Sequence, residues 1–96
     1  MYVVETCNAS DAPADREYVP VGRYARAADA VAAAQALIEA HLALALSAGR
    51  SAEEAVDDWQ RSGEIPRIGV QGSGAPVSFD ALAFARARAQ GLRRRV

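Results

Sequence analysis

Lysine is missing from this 96-residue chain, and all eleven basic residues are arginine. Set against twelve acidic residues, they leave a formal net charge of −1, so no overall field draws a polyanion. The missing lysine fits the coding bias of a GC-rich genome, although arginine also binds planar anions better than lysine does. A single cysteine, Cys7, excludes an internal disulfide framework and fits a reducing compartment. With one histidine, His41, and that one distant cysteine, the chain falls short of the ligand count of a zinc site. No apolar run approaches the roughly 20 residues that span a bilayer, and the N-terminus lacks the basic-then-apolar order of a secretory leader. These absences predict a cytoplasmic protein with no membrane partner and no cofactor. No Gly-x-Ser-x-Gly nucleophile motif occurs, and an enzyme is not expected.

Alanine is what the chain has in abundance. It fills twelve of the 24 positions from Ala25 to Ala48, and it is the strongest helix former. At 100° per residue Ala27, Val31, Ala34, Ile38, Leu42 and Ala45 form one stripe flanked by Leu37, His41 and Leu44, which predicts a long amphipathic helix. Leu46 lies off that stripe, where a second helix or a partner subunit would meet it. Gly49 is placed to turn left-handed and stop the helix.

Shorter elements surround this helix. Tyr2–Thr6 and Glu17–Val21 read as an antiparallel pair of strands, with Pro20 putting the second at an edge or a bulge. Ser51-Ala52-Glu53-Glu54 is a capping box opening a short helix. That helix has Ala52, Ala55, Val56 and Trp59 on one face and Glu53, Glu54, Asp57 and Asp58 on the other. A third strand follows around Ile65–Gln71, pairing with either the first or the second. A last helix starts near Asp80, with Phe79 and Phe84 as a hydrophobic staple and Leu82, Ala85, Ala89 and Leu92 on its apolar side. The expected fold is α+β: a three-stranded, mostly antiparallel sheet with three helices in the order ββααβα. Residues 1–92 form one domain, and 93–96 form a frayed basic tail.

The order of these signals resembles a group of small bacterial α+β proteins of unknown function. The shared features are a hairpin ending in a tyrosine, the alanine-rich helix, Ser51-Ala52-Glu53-Glu54, Gly63-Glu64-Ile65-Pro66 with Ile68, and Phe79-Asp80-Ala81 leading to Phe84-Ala85-Arg86. Relatives in that group carry a threonine cap in place of Ala25 and larger aromatics in place of Leu82 and Phe84. The resemblance implies a fold and no activity, so it transfers no catalytic residue.

Of the remaining features, Arg86, Arg88, Arg93, Arg94 and Arg95 look most functional, because no acid intervenes after Asp80. Such a patch can neutralise phosphates, but helix C-termini also favour cations, and these side chains do not share one helical stripe. The acidic cluster of Glu53, Glu54, Asp57 and Asp58 projects from a regular helix and not from a calcium loop, which points to a solvated face or to pairing with the arginines. Gly72-Ser73-Gly74 lacks the lysine and the direct helix junction of a phosphate loop. His41 reads as a partly buried imidazole with no orienting carboxylate identified, and Cys7 as a small buried hydrophobe. The leading expectation is a small intracellular protein-interaction module that binds a protein partner or forms a homodimer. The alternative is a nucleic-acid-associated regulator using the arginine-rich end.

Overall fold

Local signals fix most of the element boundaries. In the computed structural model, which describes residues 1–94, the strands are β1 (Tyr2–Asn8), β2 (Val19–Tyr24) and β3 (Glu64–Val70). The helices are α1 (Ala27–Ser47), α2 (Ala52–Ser62) and α3 (Ala81–Arg93), and the order is ββααβα as expected. α1 ends in a Schellman motif: Gly49 takes φ +88°, its N–H donates to Leu46 O, and the Arg50 N–H donates to Ala45 O. Both halves of the α2 capping box form, with Glu54 N–H donating to Ser51 Oγ at 3.1 Å and Ser51 N–H donating to Glu54 Oε1 at 2.9 Å. Asp80 caps α3 by accepting from the Ala83 N–H at 3.0 Å, and the rings of Phe79 and Phe84 lie 6.3 Å apart in the expected staple.

The sheet is antiparallel throughout, with strand order β2-β1-β3, so the third strand pairs with the first. The register between β1 and β2 slips between Val4↔Gly22 and Glu5↔Pro20, leaving Val21 as the extra residue of a bulge. Pro20 therefore sits both on an edge strand and at a bulge. β2 starts two residues later than the expected Glu17 and runs on past Val21 through Gly22, Arg23 and Tyr24. Helix α3 likewise continues through Gly91 to Arg93, the first residue of the expected tail, and Arg94 N–H still donates to Gln90 O.

α1 buries four of the six residues of the stripe expected of it, Ala34, Ile38, Leu42 and Ala45, but departs from it at the first two. The buried row is Ala30, Ala34, Ile38, Leu42 and Leu46, with Ala45 beside it, whereas Ala27 and Val31 are only half-buried. This row steps by four residues, and such ridges incline to the helix axis. The cause is that α1 meets two different neighbours along its length. Ala30 and Ala34 pack on Val4 of the sheet, while Ile38, Leu42, Ala45 and Leu46 pack on Ala52, Ala55, Val56 and Trp59 of α2 and on Ala85 and Ala89 of α3. Leu46 thus meets the second helix. Leu44 was expected to flank the buried stripe and is instead 75 % exposed.

Opposite the buried row runs a second row of the same pitch, Ala28, Ala32, Ala36, Ala40 and Leu44, every member exposed. By length and composition α1 is apolar enough to cross a membrane, a property the expectation of no long apolar run did not register. Only 33 % of its most apolar 18-residue window is buried, and core helices of globular proteins pass the same test. Here the apolar side facing inward is packed into a compact core.

Candidate functional site

Two helices leaving a short turn side by side bring together residues equidistant from that turn. α1 and α2 are joined by Ala48–Ser51. His41 lies seven residues before Ala48, and Asp58 lies seven after Ser51. Their side chains meet, with His41 Nε2 2.8 Å from Asp58 Oδ2 and both half-exposed. The hydrogen bond from His41 holds the Asp58 carboxyl below its ordinary range against the cost of desolvation, with the His41 charge and then Arg50 and Arg61 adding smaller pulls. The orienting carboxylate that the sequence left unidentified is therefore Asp58. The face carrying His41 Nδ1 is closed by Gly63, where an added Cβ would lie 3.1 Å from that nitrogen. A His–Asp pair orients an imidazole for proton transfer, but no hydroxyl or thiol is hydrogen-bonded to this ring among the described residues. The pair joins α1 to α2.

The arginines of the last helix do not converge. Arg88 Nε lies 3.0 Å from Glu39 Oε1 with its N–H aimed away from the oxygen, which makes an ion pair without a hydrogen bond and ties α3 to α1. Arg86 stands on the wall of a groove of about 420 Å³ between α2 and α3, facing Glu53 and Asp57. Arg93 borders a smaller hollow with Leu46, Gly49 and Arg50. It helps keep the Glu54 carboxyl low, a shift dominated by the two hydrogen bonds of the capping box. Arg94 is exposed at the helix end, and Arg95 lies outside the described residues. The acidic side of α2 thus faces Arg86 across the groove, but among the described residues no ion pair joins them, short of the pairing that one reading of the sequence anticipated.

Strand alternation sends Val3, Glu5 and Cys7 to the face opposite Val4, away from the helices. There Arg67 donates from Nε to Glu5 Oε1 at 3.2 Å, and its guanidinium lies 3.7 Å over the Tyr18 ring. The Tyr18 phenol is held above its ordinary value, first by its interaction with the neighbouring Cys7 thiol and then by burial, against pulls from Arg67 and Arg16. Cys7 is buried, as is Trp59, whose Nε1 donates to Glu64 O at 2.9 Å. This face is a polar lattice over a thin apolar layer. Among the described residues no group of three His, Cys, Asp or Glu side chains is arranged to hold a metal ion. The loop holding Gly72, Ser73 and Gly74 does not run straight into α3, and the Ala83 N–H in the helix's first turn is already occupied by Asp80.

No family model, curated protein or solved structure matches the chain, so no residue role is carried over from a relative.

Proposed function

We propose that this protein is a small interaction module that works by contact with a protein partner and not by catalysis, and that the outward row of α1 is its contact surface. The observation that carries this reading is the row itself. Ala28, Ala32, Ala36, Ala40 and Leu44 run the length of the helix without a charge, 160–200° from the buried row. Small side chains let a partner's backbone approach closely, and Leu44 supplies an anchor; fully burying a leucine is worth about 1.5–3 kcal/mol. Other surfaces are less suited. Both edge strands carry a proline, Pro20 in β2 and Pro66 in β3, and β2 is bulged as well, which are devices that discourage strand addition. The arginines needed for a nucleic-acid reading are dispersed, with Arg88 paired to Glu39 and Arg86 standing across a groove from Glu53 and Asp57. The cytoplasm, where a free buried Cys7 stays reduced, is the proposed location.

Ala36→Glu and Leu44→Glu test the reading, because glutamate on an exposed helix face costs only a few tenths of a kcal/mol in propensity. In extract of its own cells, the tagged wild-type chain should fractionate in a complex with a second, different protein, and both variants should elute folded and without that partner. A wild type that elutes free, or variants that stay in the complex, would refute it.

A further inference from the structure

The walls of the α2–α3 groove are of opposite charge and are not bridged. Ala52 and Glu53 at the start of α2 lie beside Gln90 near the end of α3, while Trp59 and Gln60 at the end of α2 lie beside Ala81 and Leu82, so the two helices run antiparallel. Glu53 and Asp57, four residues apart, project from the same side of α2, and Arg86 projects from α3 across about 420 Å³ of open space. All three are exposed, and among the described residues none is within ion-pair distance of an opposite charge. The floor between them is Ala52 and Val56, both nearly buried. Arg93 follows Arg86 by seven residues, about two turns further along the same side of α3.

We propose that this face binds a second copy of the chain. A two-fold axis running along the groove exchanges left for right while keeping each residue at its own height. It therefore lays the acidic wall of each copy over the basic wall of the other. Asp57 of one copy then meets Arg86 of the second copy, Glu53 comes over its Gln90 on the side that leads to Arg93, and symmetry repeats each contact. A surface with one sign of charge would repel its own image under the same operation. Ala83 and Ala87, exposed on α3, leave room for the approach. Exposed ion pairs are individually weak and are screened by salt, so the contact is a loose, salt-sensitive dimer with its register set by charge. It is separate from the α1 row and does not depend on what that row binds.

Sedimentation velocity over a concentration series, at about 20 mM and about 300 mM salt, reads it out, since the Debye length falls severalfold between the two. The expected result is concentration-dependent dimerisation of the wild type at low salt that is lost at high salt. Asp57→Arg alone and Arg86→Glu alone, each folded by circular dichroism, should be monomeric at both. An equimolar mixture of the two variants should recover the dimer, because every cross-copy contact again joins opposite charges. Ala36→Glu should dimerise like the wild type, which separates this contact from the α1 surface. A wild type that is monomeric at low salt, single variants that still dimerise, or a mixture that stays monomeric would each overturn the proposal.

Discussion

Gly63 is required by space and not by conformation, and replacing it with alanine should be among the costliest single-methyl changes in the protein. Its backbone is extended, φ −86° and ψ 178°, so any residue can adopt it. A Cβ at this position would lie 2.6 Å from Trp59 Cδ1, 2.8 Å from Trp59 O and 3.1 Å from His41 Nδ1. Carbon atoms in good contact sit at about 3.5–4.0 Å, so the indole must retreat by about 1 Å. Trp59 is 2 % exposed and surrounded by the helical core, and moving it strains or breaks the 2.9 Å bond from Nε1 to Glu64 O. Overpacking costs about 1–3 kcal/mol and the lost hydrogen bond about 1 kcal/mol, so Gly63→Ala should lose about 2–4 kcal/mol. For a domain of this size that lowers Tm by about 8–30 °C. Urea unfolding followed by the fluorescence of Trp59, the only tryptophan, and by far-UV circular dichroism measures it directly. Gly49→Ala is the control: φ is +88° with nothing within 4 Å of the added Cβ, so it should cost about 1–2 kcal/mol of backbone strain and leave the folded emission unchanged. Gly63→Ala unfolding within about 0.5 kcal/mol of the wild type, with unaltered emission, would refute the steric reasoning.

Three further outcomes follow from the same geometry. Leu42→Ala, at a fully buried position, should cost about 2–5 kcal/mol in chemical denaturation, whereas Leu44→Ala should stay within about 0.5 kcal/mol of the wild type. Because the Asp58 carboxyl is held low in the folded state, its contribution is present above the ordinary carboxylate pKa and lost as pH falls through the lowered folded value. Thermal melts taken from neutral to strongly acidic pH should therefore show a shallower acid limb in Asp58→Asn, and equal limbs would count against the His41 contact. In a spectrophotometric titration, the difference between wild type and Tyr18→Phe should isolate a phenol step above the ordinary tyrosine value, and Cys7→Ala should move that step down.

Where structure was set by neighbours in sequence, it was legible in advance. Ser51 with Glu54, Gly49, Asp80, and the Phe79–Phe84 staple are all contacts within five residues, and each element boundary they imply is observed. The ββααβα order followed from such boundaries. What stayed hidden depends on how elements lie against each other. The buried row of α1 slants because the helix leaves the sheet for α2 and α3 along its length, a circumstance that a stripe drawn at 100° per residue cannot register. Gly63 stands in sequence as one more glycine after a helix, but its role is to make room for Trp59 and His41. The Arg88–Glu39 contact spans 49 residues and needs α3 to be placed on α1 first. His41 and Asp58 are an intermediate case: their equal distance from the short α1–α2 turn was visible, but Asp58 had been assigned to a solvated acidic face.

The measurement that bears most directly on the contact surface is site-specific photo-crosslinking along α1. A benzophenone side chain replaces Ala36 or Ala40 in the outward row, and Arg61 on α2 serves as the exposed control. Irradiation in extract of its own cells should give one discrete protein adduct from the α1 positions and none from the control. Excess wild-type chain should compete the adduct away, and excess Leu44→Glu should not. Equal labelling from all three positions, or competition by Leu44→Glu as effective as that by the wild type, would contradict the assignment of α1's outward row as the surface through which this protein acts.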